Sequence, residues 1–503
     1  MTTLQRATAA AAAALSFLIT LSLAGCTSAP VTNAPTANTN ENAANANTAP
    51  ATNANTAATN AAPATTNAAS DQPVTLAVLD ALFSDESFAR DLKSKAQLTD
   101  DQIAQLRKAA SDERAGLRES DANSQGGTTR GATERAREKI VAAVGADKAD
   151  QVLAFARERW SGNEGGASAT AMSATPDHPN AVPGDSRVVV NAPAFRMDVF
   201  EHGRLVKSYK VGIGYPEFPL PAGMRRAEQI IFNPTWTPPD EPWVEAGKSK
   251  VKVGERVPAG SKLNPLGPLK IPIGLPSLIH GGKNPARLGE FASHGCVGLT
   301  DNLAEDFALQ LAQLSGTQLT AEDEQTYAKN KTETKAVKLA QPVPVELRYE
   351  TIVATDDGRL HIYRDVYDRG TNTEENLRRV LEAHGVSFDG LPEQTRSQLL
   401  DGLKQMARDA LGNPAVGDGT EGPNANAANK NSNNKNSPDK ANNSPNKNAN
   451  GAHVTRNVKG QKEVVVEIEA LRGKGYPAPV GDAFKESDQR QQGANAQKKR
   501  GKK

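Results

Sequence analysis

The chain has 503 residues, of which 37% are hydrophobic, 4% are aromatic and 23% are charged, and its formal net charge is +1. That length accommodates two or more domains, but the low apolar and aromatic content predicts that much of the chain lies outside any packed core. The nearly balanced charge excludes recruitment of nucleic acid by a global electrostatic field, so no nucleic-acid partner is expected.

The N-terminal residues 1–26 have the pattern of a secretory signal. Arg6 supplies a positive charge, residues 7–23 form an apolar run that is short for a transmembrane helix, and Leu23-Ala24-Gly25-Cys26 closes it. The closing tetrapeptide resembles the bacterial lipoprotein signal box, which implies that Cys26 is lipidated. A signal-anchor that is never cleaved is the alternative. We therefore expect an exported protein, lipid-anchored on the periplasmic side of the cell envelope, with the outer membrane as the favoured location.

The next segments alternate between low-complexity sequence and helical sequence. Residues 27–72 are almost entirely Asn, Ala, Thr and Pro, a composition that cannot bury a core and predicts a disordered tether. Residues 73–161 have apolar side chains at helical spacing, and Thr99 with Gln102 predicts a capping box, so we expect a domain of three or four helices. A linker of Gly, Ser, Ala and Pro follows at 162–185.

From residue 186 the pattern changes to strands. Valines at 188–190 and alternating apolar residues on both sides of the turn at 201–204 predict a β-hairpin, and residues 303–314 predict a helix. The range 186–370 is expected to be a mainly β domain, a sandwich or barrel, with a helix after Cys296.

The remaining segments are shorter. Residues 371–412 predict a second helical segment, in which Asn372 caps one helix and Pro392 opens another. Residues 413–452 form a second disordered linker, rich in Asn and Lys. Residues 453–503 predict a short strand-like segment and a basic tail.

Cys296 is the only cysteine left for chemistry if Cys26 is acylated, because the chain has two cysteines. Exported proteins usually pair their cysteines in disulfides, so an unpaired thiol in such a protein suggests a chemical role. Its Gly-punctuated surroundings and the nearby His280 and His294 indicate a thiolate nucleophile with an imidazole base. A buried cysteine acting as a small hydrophobic residue is the alternative. We expect neither a metal site nor a cofactor.

Four ordered stretches resemble the catalytic signature of the L,D-transpeptidases of bacterial cell walls, the YkuD-type family. The resemblance covers residues 186–370, and its motifs are Asn233 to Pro239, Asn264 to Lys270, Ile279-His280-Gly281 and Ser293-His294-Gly295-Cys296-Val297. It implies that Cys296 is the nucleophile, that His280 is the general base and that the carbonyl of Gly281 orients the imidazole. It also implies that backbone amides near Cys296 form an oxyanion hole and that three residues shape the site, namely Ser293, His294 and Gly295.

The same resemblance implies a substrate class. Cys296 would attack the L,D-amide of a peptidoglycan stem peptide and release D-alanine. The acyl group would pass to the amine of a neighbouring stem, or to water as in an L,D-carboxypeptidase. Carbapenem β-lactams would be inhibitors. Candidate substrate-binding residues are Trp236, Arg225, Arg226, Lys270 and Lys283, although a solvated surface charge is the simpler interpretation of each cation.

One position departs from the family pattern. Many members carry Arg two residues after the cysteine, and this chain has Gly298 there. The departure removes a side-chain donor that could hold the loop or a substrate carboxylate. It leaves open a second function, a catalytically weakened lipoprotein that binds or scaffolds peptidoglycan.

Overall fold

The computed structural model describes residues 72–117, 127–162, 178–238, 251–252, 254–274, 277–414 and 454–481. The predicted signal with Cys26 lies outside the described residues, as do nearly all of the tether, most of both linkers and the basic end of the chain. Within the described ranges, no helix is both long and apolar enough to span a membrane.

The N-terminal part of the described chain folds into a helical unit with its own core. The capping box predicted at Thr99 begins the third helix, since Thr99 Oγ1 accepts from the amide of Gln102 at 3.2 Å and Gln102 Oε1 accepts from the amide of Thr99 at 3.1 Å. Phe88 stacks on Phe155 inside the unit, with ring centroids 5.4 Å apart. Its helices are α1 Leu76–Leu82, α2 Glu86–Lys95, α3 Asp100–Gly116, α4 Thr129–Val144 and α5 Ala146–Trp160. The predicted helical segment is confirmed, with five helices in the described residues rather than three or four.

The β domain follows, as predicted. Its strands are β1 Arg187–Asn191, β2 Arg196–Glu201, β3 Arg204–Lys210, β4 Ile213–Gly214, β5 Gly223–Phe232, β6 Leu269–Pro272, β7 Leu278–His280, β8 Phe291–Ser293, β9 Val297–Gly298 and β10 Lys335–Arg348. In the described residues, eight of them form one sheet in the order β3-β2-β1-β10-β5-β6-β7-β9, and β4 pairs with β8. The last two connections of the large sheet place β7 between β6 and β9.

The helix predicted after Cys296 is α6, Asp301–Ser315, and α7 spans Ala321–Lys329. Phe307 and Leu311 of α6 are fully buried and share one hydrophobic core with Ile271 and Ile279 of the sheet. Thr300 caps α6 by accepting from the amide of Leu303 at 3.4 Å. One face of the sheet is therefore covered by a helix, and this confirms the mainly β fold with a helix after the cysteine.

The C-terminal residues form a smaller unit around a three-stranded sheet. Its strands are β11 Ile352–Thr355, β12 Arg359–Tyr363 and β13 Glu463–Glu467, and its helices are α8 Glu374–Ala383 and α9 Glu393–Met406. β12 lies between β11 and β13 and pairs antiparallel with both. The strand-like segment predicted near the end of the chain thus completes a sheet begun within residues predicted for the β domain.

Candidate active site

The pairing of β7 with β9 brings together the segments that carry His280 and Cys296. The two strands are parallel, with Ile279 opposite Val297 and His280 opposite Gly298. Ile279 and Val297 are fully buried in the core, and side chains alternate along a strand. His280 and Gly298 therefore face away from that core. Cys296 immediately precedes β9, and a backbone hydrogen bond from Leu278 reaches its side chain, so the cysteine lies beside the strand that carries His280.

The imidazole of His280 is fixed by its neighbour in sequence. Nδ1 donates to the carbonyl oxygen of Gly281 at 2.7 Å, and because a carbonyl only accepts, the proton sits on Nδ1 and Nε2 is the basic nitrogen. The side chain is 4% exposed. Burial, reinforced by the charge of Lys283, lowers the pKa of His280 to about 3, although the carbonyls of Gly281 and Leu266 act in the opposite direction. The imidazole is therefore neutral across the ordinary range of pH.

The thiol of Cys296 is also in its neutral form at rest. The side chain is partly buried, and this burial raises the pKa of Cys296 above its usual value. A backbone hydrogen bond from Leu278 and the positive charge of Lys283 act in the opposite direction. With both groups neutral, any attack by this sulfur would require the thiol proton to leave during the attack, not before it.

Residues 293–296, which we call the cysteine turn, are held by their own hydrogen bonds. Ser293 Oγ accepts from the amide of Cys296 at 2.9 Å and donates to its carbonyl at 2.6 Å. Gly295 has a φ of +91°, a conformation that favours glycine, and its carbonyl accepts from Ser277 Oγ at 3.0 Å. The amide of Cys296 is thus occupied by Ser293, which differs from our expectation that it faces an oxyanion.

A second loop, residues 215–220, packs directly on the cysteine turn, and the sequence analysis did not identify it. We call it the aromatic loop. The ring of His294 lies edge-on to Tyr215 and Phe218, with centroid distances of 5.1 and 4.6 Å. The amide of Tyr215 donates to the carbonyl of Ser293 at 2.8 Å. The sequence did contain a signal for this loop, because two aromatic residues, each followed by a proline, are unusual in a loop that has no structural role.

Hydrogen bonds from outside the β domain hold the aromatic loop in place. Thr75 Oγ1 of the helical unit donates to the carbonyl of Glu217 at 2.8 Å, and Thr129 Oγ1 donates to the carbonyl of Pro216 at 2.8 Å. The carboxylate of Glu217 accepts from the amide of Thr455 at 3.3 Å. Burial raises the pKa of Glu217 to about 7. The helical unit and the C-terminal residues therefore both position a wall of the site.

The two motifs at residues 233–239 and 264–270 support the loop that follows His280. Asn264 Nδ2 donates to the carbonyl of Pro234 at 2.7 Å and so joins the two motifs. A Cβ atom on Gly267 would lie 2.3 Å from the amide nitrogen of Gly282, so only glycine permits this approach. The amide of Gly282 donates to Asp301 Oδ1 at 2.7 Å. These contacts fix the backbone beside the imidazole.

The structure brings two of the predicted substrate-binding residues to His280. Lys270 on β6 is its direct cross-strand partner, and Lys283 is close enough for its charge to lower the pKa of both His280 and Cys296. An open cleft of about 480 Å³ begins at the same loop and is lined by Lys283 and its neighbours, residues 282–285 and 300–302.

The remaining predicted substrate-binding residues have other contacts. Arg225 is buried and donates to the carbonyl of Trp160 in the helical unit. Arg226 pairs with Glu228 at 3.0 Å on the surface. Trp236 packs in a small apolar cluster and exchanges two backbone hydrogen bonds with Val257.

Comparison with solved structures finds weak likenesses to L,D-transpeptidases. The catalytic domain of the Enterococcus faecium enzyme is 14% identical, with 33% of this chain and 100% of that chain covered and a TM-score of 0.21. An L,D-transpeptidase from Mycobacterium smegmatis is 14% identical, with 32% and 59% covered and a TM-score of 0.20. The Ldtfm-avibactam carbamoyl enzyme is 16% identical, with 35% of this chain and 53% of that chain covered and a TM-score of 0.22. The match therefore spans about half of that protein. These likenesses are too weak to bear on activity.

The sequence comparisons are more specific. No curated protein matches the chain. Residues 185–334 match the family YkuD, described as the L,D-transpeptidase catalytic domain. The matched range contains both the loop after His280 and the cysteine turn, and it lies within the β domain. The chain therefore contains, at residues 185–334, a region that matches the YkuD family of L,D-transpeptidase catalytic domains.

Proposed function

We propose that the protein is an L,D-transpeptidase that acts on peptidoglycan stem peptides through a thioester on Cys296. The observation that carries the proposal is the β7–β9 pairing, which places Cys296, in contact with Leu278, beside the strand that carries an imidazole whose Nδ1 is fixed by Gly281. A buried cysteine serving only as a small hydrophobic residue would need neither that neighbour nor a turn closed by Ser293. The family match of residues 185–334 supports the same reaction class.

The proposed reaction follows from the protonation states at rest. The sulfur attacks the carbonyl carbon of the L,D-amide while the thiol proton passes to Nε2 of His280. As the tetrahedral intermediate collapses, that proton goes to the amine of the departing D-alanine, and a thioester remains on Cys296. Attack by an amine of a second stem peptide forms the cross-link and restores the thiol. Attack by water would instead complete an L,D-carboxypeptidase reaction.

The proposed location is the cell envelope. The signal pattern of residues 1–26 supports export, and lipidation of Cys26 would anchor the enzyme to a membrane through the tether of residues 27–72. A tether of this length has a root-mean-square span of roughly 35–40 Å, so the anchored domain could search a layer of wall beside the membrane.

Replacing the nucleophile tests the proposed reaction. Cys296→Ala should reduce D-alanine release from tetrapeptide muropeptides to below detection, because no thioester can form. Purified protein and muropeptide chromatography would measure it, with circular dichroism and the unfolding midpoint as controls for an intact fold. Undiminished release by the variant would end the proposal. Wall binding by both proteins with turnover by neither would favour the scaffold alternative.

The cysteine turn gives a prediction from geometry. Ser293→Ala removes both hydrogen bonds that close the turn around Cys296. Since a displacement of about 1 Å in a nucleophile can cost on the order of 10²-fold, we expect kcat/KM for D-alanine release to fall by about that factor. Ser315→Ala is the matched control, because Ser315 is also buried and bonds a backbone carbonyl, that of Ala312, at 2.8 Å. Equal activity of the two variants would contradict the role given to the turn.

Carbapenems should acylate the same sulfur. Attack on the β-lactam carbonyl would open the ring and leave the whole inhibitor bonded to Cys296, so intact mass should rise by one inhibitor mass. Tryptic mapping should place the adduct on the peptide that contains residue 296, and Cys296→Ala should show none. A wild-type protein that forms no adduct would count against an accessible, activated thiol.

A further inference from the structure

The position of Gly298 is occupied by a neighbouring side chain. A Cβ atom added to Gly298 would lie 2.7 Å from Cγ and 2.8 Å from Cε of Lys283. Such distances are shorter than real contacts, so the aliphatic chain of Lys283 lies where a side chain at 298 would begin. The amide of Lys283 donates to the carbonyl of Leu299 at 3.0 Å, which fixes the start of that side chain next to β9.

This arrangement puts a cation next to the reacting pair. Gly298 is directly opposite His280, and Cys296 lies two residues before Gly298 in the chain. The positive charge of Lys283 favours a thiolate and disfavours an imidazolium, because like charges repel and opposite charges attract. The other charged or titratable groups around the pair are His280 on β7, Lys270 on β6, His294 in the cysteine turn and Asp301 at the start of α6.

We propose that Lys283 is a positioning residue of the active site, whose side chain lies across Gly298 and whose fixed positive charge stabilises the thiolate of Cys296. The absence of a side chain at Gly298 then leaves the space that the Lys283 side chain occupies, and it does not indicate a weakened enzyme. The inference rests on the proposed function for its catalytic meaning. Thiol ionisation itself can be measured without any peptidoglycan substrate, so the two ideas fail separately.

The test is the pH dependence of alkylation of Cys296 by iodoacetamide in the full chain. Removing the charge in Lys283→Met should raise the apparent pKa of the thiol by about one unit, which slows alkylation at neutral pH by about tenfold. Lys283→Arg should keep the wild-type profile, because the charge remains. Lys262→Met removes an exposed lysine and serves as the matched control.

Gly298→Ala supplies the second arm. The added methyl group meets only the flexible chain of Lys283 among its nearest contacts, so the variant should fold and displace the lysine. We expect it to slow alkylation as Lys283→Met does, and we expect the double variant to be no slower than either single one.

Two results would overturn the proposal. One is a wild-type alkylation profile in Lys283→Met. The other is a further loss in the double variant, which would show that Gly298 acts on Cys296 without Lys283. If D-alanine release is absent while the alkylation profiles shift as expected, the proposed function fails and the role of Lys283 stands.

Discussion

The parallel pairing of β7 with β9 is the constraint on which the site depends. It sets His280 opposite Gly298, and Cys296 directly precedes β9 and contacts Leu278 of β7. Parallel strands cannot be joined by a tight turn, so the chain must make a longer excursion between them. Here that excursion contains cleft residues 282–285 and the cysteine turn itself. The connection that permits the pairing therefore also builds the rest of the site.

Hydrogen bonds and ring contacts of the aromatic loop connect the cysteine turn to the helical unit. The aromatic loop touches His294 on one side, and on the other its carbonyls accept from Thr75 and Thr129. The C-terminal residues join the same loop through Thr455 and the carboxylate of Glu217. Segments that lie outside the matched family range thus help to shape the aromatic loop that packs on the cysteine turn. Their presence has a structural explanation that requires no separate activity.

The sequence predicted what depends on residue type and short-range periodicity. The capping box at Thr99 and the helix after the cysteine belong to that class. The catalytic roles of Cys296 and His280 stay predictions. The sequence could not predict contacts between residues that are far apart in the chain, such as the pairing of β12 with β13 or the position of the aromatic loop. Asn372 was expected to cap a helix, but Thr373 is the cap, because its side chain accepts from the amide of Asn376 at 3.1 Å. Asn372 instead donates to the carbonyls of Tyr363 and Met406. Export and lipidation of Cys26 stay predictions.

At rest, the site holds a neutral imidazole with its proton on Nδ1 and a neutral thiol. Nitrogen NMR of the histidine-labelled protein, with His280→Asn used to assign the signal, measures both the protonation and the tautomer of this imidazole. We expect His280 to keep a single proton, on Nδ1, from pH 8 down to about pH 5, since burial lowers its pKa to about 3. An imidazole that titrates near its ordinary pKa of about 6.5, or that carries its proton on Nε2, would be incompatible with the proposed proton transfer.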